Sequence, residues 1–346
     1  MLGGKTFASD NNSGVHPRVM EALTRANAGH CVAYGDDPIT ASAQRAFRDT
    51  FGPNAHVFFV YNGTGANVSA LSAMRRSFHG IICADCAHAN VDECGAPECV
   101  SGSKLLPVPS VDGRITPEGI APKLHHLGFQ HSSQPRVVTL TQATEFGTVY
   151  SLDDIRAIAD FAHDHGLLVH MDGARLANAA AALGCSLADI SVRAGVDALS
   201  FGGTKNGLMF GEAVVLFDSS LVGDFPYVRK QCMQLHSKMR FIAAQFEAYL
   251  TDGLWLDNAR SANAMARLLA DSVRDVPGLE LTCPVETNAV FARIPREAVE
   301  PLQKRSFFYV WDEETVEVRW MTSFDTTPED VSAFAADIRD VLGECL

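Results

Sequence analysis

Short apolar runs recur along the first two thirds of the chain, each followed by a turn and then by a stretch with helical spacing. The runs occupy 57–61, 81–84, 137–140, 167–171, 198–201 and 213–217. They are apolar on both faces, which suits strands buried inside a mostly parallel sheet. One intervening helix is clearly written. Ser151 is its N-cap, Asp153 and Asp154 favour its positive end, and Ile155, Ile158, Ala159 and Ala162 form its apolar stripe. His163 and His165 fall near its end and Gly166 stops it. Strands alternating with helices predict an α/β architecture with crossover connections.

After about Leu235 the pattern changes. Helical spacing runs through Phe241, Phe246, Tyr249 and Leu250, and again over 258–273. Alternating runs follow at 279–282, 290–293, 307–311 and 316–320, with a last helix after Pro328. Alternation predicts an antiparallel sheet with one covered face. The expected division is an N-terminal active-site segment (1–13), a large α/β domain (14–250) and a smaller α+β domain (251–346).

Composition narrows the field. A chain of 346 residues is more than one core usually fills, in keeping with two domains. With 47% hydrophobic and 20% charged residues it is an ordinary globule. Acidic residues outnumber Lys and Arg by 41 to 28, a net −13, which argues against nucleic acid or an anionic membrane as partner. No apolar run reaches the length of a membrane span, and the first residues lack a signal pattern. The nine cysteines therefore read as reduced thiols in a cytoplasm.

Several motifs carry little. Gly3-Gly4-Lys5-Thr6 resembles the end of a P-loop without its leading glycine or strand. Cys83, Cys86, Cys94 and Cys99 surround His88, yet their spacing matches no structural zinc pattern, and no metal is expected. Gly63-Thr64-Gly65 begins a dinucleotide fingerprint whose third glycine is replaced by Val68, leaving a nicotinamide oxidoreductase as a fallback.

Three strand ends carry chemistry together. The run ending at Tyr61 leads into Asn62-Gly63-Thr64-Gly65-Ala66-Asn67 and a helix, whose N-terminus offers an anion site. Val169-His170-Met171-Asp172-Gly173-Ala174-Arg175 places a carboxylate where a buried strand ends; taken alone, an ion pair with Arg175 is the better account of it. Phe201-Gly202-Gly203-Thr204-Lys205-Asn206-Gly207 places one lysine in a glycine-rich turn, where desolvation makes it a usable amine nucleophile. A phosphate cradle, an Asp for a pyridinium nitrogen and a Schiff-base Lys are what pyridoxal 5′-phosphate requires.

At these residues the chain resembles the low-specificity threonine aldolases, including phenylserine aldolases, of the fold type I (aspartate-aminotransferase-like) pyridoxal-phosphate enzymes. Ser9-Asp10-Asn11, Tyr34-Gly35-Asp36-Asp37-Pro38, Asn62 to Asn67, Ala87-His88, Asp172-Gly173-Ala174-Arg175, Gly203 to Gly207 and Val318-Arg319-Trp320 each resemble a family segment. The resemblance implies that Lys205 carries the cofactor, Asp172 pairs with its ring nitrogen, and Arg175 bonds its phenolic oxygen. Gly63, Thr64 and Gly65 would bind phosphate, and His88 would stack on the ring and move protons. Ser9 and Arg319 would fix the substrate carboxylate. It also implies a homodimer or homotetramer with active sites at the subunit interface, Tyr34 reaching across. Two segments depart from the family: Glu145 stands where many relatives have His, and Thr204-Lys205-Asn206 replaces Ser-Lys-Gly, as in a subgroup acting on bulky aryl substrates. The expected reaction is retro-aldol cleavage of an L-β-hydroxy-α-amino acid to glycine and an aldehyde. His88 is the first candidate for the base, and a water held by Glu145 the second. A β-eliminating lyase of the same fold, such as tyrosine phenol-lyase or tryptophanase, is the alternative.

Overall fold

The computed structural model describes residues 5–345. The glycine pair of the P-loop-like start lies outside the described residues. Eleven strands build two sheets. The first seven are β1 (His56–Val60), β2 (His79–Ala84), β3 (Lys104–Val108), β4 (Gln134–Thr141), β5 (Leu168–Gly173), β6 (Ala198–Gly202) and β7 (Glu212–Leu216). They assemble in the order β1-β7-β6-β5-β4-β2-β3. Every pairing from β3 to β6 is parallel, and only β7 runs against its two neighbours. The connection 203–211 is too short for a crossover helix, so β7 must return as a hairpin. The expected mostly parallel sheet is thus observed.

All six apolar runs are strands, within three residues of their expected ends. β3 is the strand that periodicity did not mark: Lys104, at its start, is exposed and Pro107 breaks the run. Both are tolerated because β3 lies at the sheet edge. The helix at Leu152–Asp164 has the expected cap in full, Ser151 and Asp154 bonding each other's backbone N–H.

The second sheet is antiparallel, in the order β10-β11-β9-β8, from β8 (Glu280–Leu281), β9 (Ala289–Arg293), β10 (Tyr309–Asp312) and β11 (Glu317–Met321). Helices Leu254–Val273, Arg296–Arg305 and Pro328–Cys345 supply its core, which includes Leu269, Val290, Trp320, Phe334 and Ile338. Phe7 joins that core, stacking on Phe334 at 4.3 Å, and the N–H of Met321 donates to its carbonyl at 2.7 Å. The N-terminal segment is therefore tied to the second sheet before it passes the first. Among the described residues no helix is long and apolar enough to cross a membrane.

Register sets out the site. Thr141 of β4 pairs with Asp172 of β5, and Asp172 with Ser200 of β6. Glu212 at the start of β7 sits between Gly202 and Val60, the last residues of β6 and β1. Carboxyl ends of four strands thus share one edge, where open α/β sheets bind ligands.

Candidate active site

A cleft of about 610 Å³ opens at that edge. Beyond β1, Asn62 caps helix Gly63–Ala73, its Oδ1 accepting from the Gly65 N–H at 2.7 Å. Of the three expected phosphate-loop residues, Gly63 lines the cleft, and nothing lies within 4 Å of where its Cβ would be. Gly65 is glycine for a different reason. A Cβ there would fall 2.3 Å from the side chain of Gln234, whose Oε1 accepts from the Tyr61 N–H at 2.9 Å. Gln234 thereby closes over the turn.

Asp172 ends β5 and is buried. Its Oδ1 accepts from the Ala174 N–H at 2.9 Å and its Oδ2 from Asn67 Nδ2 at 2.7 Å. An Asp172–Arg175 ion pair, allowed by the sequence, is not formed. Arg175 instead grips Asp10 with two bonds, Nε to Oδ2 at 2.7 Å and Nη2 to Oδ1 at 2.9 Å. Asn288 donates a further bond to Asp10 at 3.1 Å. Burial alone would raise the Asp10 carboxyl, but Arg175, helped by Lys205 and Asn288, holds it below its ordinary value. Burial opposes the Arg175 charge, and Asp10 outweighs it, so that guanidinium binds its proton more tightly than usual. Asp172 is left facing the cleft without a cationic partner among the described residues.

Lys205 sits in the turn Thr204–Asn206. Gly202 before it approaches the Ala174 backbone so closely that a Cβ would lie 2.4 Å from a carbonyl oxygen. Asn206 anchors the turn, donating to the Tyr249 hydroxyl at 2.7 Å and the Trp255 carbonyl at 2.9 Å. The Lys205 amine lines the cleft and makes no hydrogen bond or ion pair among the described residues. Burial first, then the Arg175 charge, lower its pKa, against Asp10, Asp172 and Glu212. Glu212 takes the Gly203 N–H at 2.7 Å, and burial pushes it up to about 7. Its signal in the sequence was a lone carboxylate opening an apolar strand.

His88, Glu145, Ser9 and Arg319 also line the cleft. Glu145 Oε1 accepts from the His88 main-chain N–H at 2.8 Å, and burial raises its pKa against that bond and one from Thr141. His88 Nδ1 lies 2.9 Å from Oε1 of the buried Glu93. That bond is the main reason its pKa is raised, burial opposing. Ser9 caps a short turn, accepting from the Asn11 N–H at 3.2 Å. Arg319, in the middle of the second sheet, has a buried Nε with no partner and lies 4.8 Å over the Trp311 ring. Burial, then Arg175, lowers its pKa to about 10. Tyr34 is not brought to this cleft: it is exposed in a left-handed conformation (φ 65°), with Lys230 over its ring. Asp10, Asn67, Glu93 and Glu212 are the participants that sequence reasoning missed. The four cysteines around His88 are free thiols, Cys83 buried in β2 and Cys94 and Cys99 exposed.

Acidic and basic groups without ionic partners among the described residues show the fit to a cofactor. Asp172 at a strand end, an unpartnered lysine amine, an open helix N-terminus at Gly63 and an orphaned arginine Nε together match the needs of pyridoxal phosphate and an amino-acid carboxylate. Fold and donor set define a fold type I pyridoxal-phosphate enzyme. The beta-eliminating lyase family model matches residues 6–296. The chain is 50% identical to a low specificity L-threonine aldolase of Pseudomonas aeruginosa, over 97% of this chain and 98% of that one. It is 47% identical to one from Pseudomonas sp. (strain NCIMB 10558), over 97% of each. A solved threonine aldolase from Leishmania major superposes with a TM-score of 0.92 at 29% identity, covering 98% of this chain and 100% of that one. The chain belongs to the low-specificity L-threonine aldolases within the beta-eliminating lyase family.

Proposed function

We propose that this cleft cleaves L-β-hydroxy-α-amino acids between Cα and Cβ, releasing glycine and an aldehyde. The observation that carries the reading is that Lys205 and Arg319, two half-buried cations, line one cleft with Asp172 and have no anionic partners among the described residues. When bound, pyridoxal phosphate supplies an aldehyde that condenses with amines and a protonated ring that accepts electrons.

The chain's own residues do the rest. Lys205, kept short of its full proton affinity by burial and Arg175, offers the amine. Asp172 is fixed by Ala174 N–H and Asn67, which leaves its charge for the ring nitrogen. Arg175, immobilised by Asp10, bonds the phenolic oxygen, while the turn at Gly63, Thr64 and Gly65 takes the phosphate. Arg319 and Ser9 receive the substrate carboxylate, Arg319 through a two-pronged bond. His88 receives the β-hydroxyl proton at its free Nε2; a water on Glu145 is the second candidate. If His88→Asn kept nearly the full cleavage rate, the base would be elsewhere. Threonine, allo-threonine and phenylserine are the substrate types, and Phe146, Trp311 and Val91 give the cleft an apolar side for an aryl group.

Three further points belong to this reading. The units are 14–250 and 251–346, with 1–13 serving the site. Exposed Tyr34, Tyr61, Met209, Tyr227 and Met233 support a homodimer or homotetramer burying them between subunits. Nine free thiols suit a cytoplasmic home.

Incubation of the purified protein with threonine tests the reading. Glycine and acetaldehyde are expected. Oxobutyrate with ammonia would instead mark a β-eliminating lyase and overturn it.

A further inference from the structure

Along the cleft, four side chains form one chain of hydrogen bonds that runs from the half-exposed His88 through buried Glu93 and Asn67 to buried Asp172. His88 Nδ1 meets Glu93 Oε1 at 2.9 Å, Asn67 Nδ2 donates to that same oxygen at 2.8 Å, and Asn67 Nδ2 also donates to Asp172 Oδ2 at 2.7 Å. Glu93 is 4% exposed and its side chain has no contact with solvent, so its charge has no water to settle it. Glu93 Oε2 and Asn67 Oδ1 are buried without partners. Polar groups this deep are normally satisfied, and such an arrangement is retained where the charge itself is used.

We propose that Glu93 is a positioning residue that fixes the His88 ring and tautomer and, through Asn67, couples His88 to Asp172. The proposal rests on His88 being the proton-transferring group of the cleft. A carboxylate oxygen can only accept, and this one already accepts from Asn67, so the ring must donate Nδ1–H to it. Nε2 is left with its lone pair, and it has no partner among the described residues. This is the role a buried carboxylate plays behind the histidine of a hydrolase triad, where it selects the tautomer and stabilises the cation.

The charges agree with the geometry. Two carboxylates, Glu93 and Asp172, bond to one amide nitrogen, and a proton on His88 relieves their repulsion. The groups that face His88 are Glu93, Asp172 and Lys205 around the ring and Glu145 at its main-chain N–H. Of these, Glu93 contributes most to its raised proton affinity, and Lys205 opposes. Neutralising the Lys205 amine would shift His88 through space, and adding a proton beside Asp172 would shift it along the hydrogen-bonded chain as well.

The test uses holoenzyme carrying histidine labelled with carbon-13 at Cε1, the His88 resonance being identified by its loss in His88→Asn. Glu93→Gln keeps the shape and removes the charge. Its His88 midpoint should fall by about one pH unit. Turnover should drop roughly tenfold at neutral pH with KM nearly unchanged, and its acid limb should move down with the midpoint. Glu93→Asp, which keeps the charge on a shorter arm, should lie between wild type and Glu93→Gln. It also serves if the glutamine variant fails to fold. A His88 midpoint unchanged in both variants would overturn the proposal, whatever happens to turnover. A midpoint that falls while turnover is unaffected would uphold the coupling and remove His88 as the base.

Discussion

Arg175 and Arg319 are both partly buried guanidinium groups lining the same cleft, and they are solved in opposite ways. Arg175 has Asp10 in a two-pronged pair, and its proton is held more tightly than usual. Arg319 has the face of Trp311 at 4.8 Å and an orphaned Nε, and its pKa sinks to about 10. A cation over an aromatic ring recovers part of its lost hydration, but not a carboxylate's worth. The contrast separates structure from function within one site. In the proposed reading the paired arginine is held in place by the protein before it meets the cofactor, whereas the unpaired one is completed by the substrate carboxylate. Lys205 falls with Arg319: half-buried, close to the positive Arg175, and unpartnered.

Substitutions can break this contrast or sharpen it. Lys205→Ala removes the unpaired amine, and cleavage of threonine should fall by about 10³-fold or more. Its folding, followed by urea titration, should change little. Next in size, Asp10→Ala leaves the Arg175 charge buried and alone, which should cost about 3–5 kcal/mol in the same titration. The Asp10 carboxyl sits below its ordinary 3.8 when folded. Its stabilisation is therefore full above that value and fades as pH drops through the folded one. Asp10→Ala should accordingly lose less stability than wild type as pH falls below 3.8, and run parallel to it above that value. Arg319→Leu reverses the pattern: kcat/KM for threonine should drop roughly 10- to 100-fold with the substrate carboxylate unmet, while thermal stability holds or rises. A destabilisation as large as that of Asp10→Ala would erase the distinction between the two arginines. Smallest is Glu212→Gln. Glu212 titrates near 7 when folded against an ordinary 4.5. Its contribution is present below pH 4.5 and lost as pH rises through about 7, so the variant's melting temperature should decline less over that window.

Much of this was legible in the chain. The strand-end segments at Asn62, Asp172 and Lys205 announced themselves because buried parallel strands are apolar throughout and any polar residue at their ends stands out. The partners of those residues were not announced. Asp10 lies in a short polar turn and reaches Arg175 only because Phe7 pins the N-terminal segment to the second sheet. Glu212 comes beside the Lys205 turn because β7 runs antiparallel, a property of the connection and not of the strand's own pattern. Glu93 follows the short helix His88–Val91, with no periodicity to give its direction. Local pattern thus marked the groups to which the proposed function gives the chemistry. The groups that hold them depend on contacts between segments distant in sequence, such as Asp10 with Arg175 and Asn67 with Asp172.

The most direct test of the claim that the unpaired lysine receives the cofactor is borohydride reduction of the purified holoenzyme, followed by peptide mass spectrometry. The account predicts the reduced pyridoxal phosphate adduct on the peptide containing Lys205, and its disappearance in Lys205→Ala. An adduct on any other lysine, or none in a protein that retains its visible absorption, would contradict it.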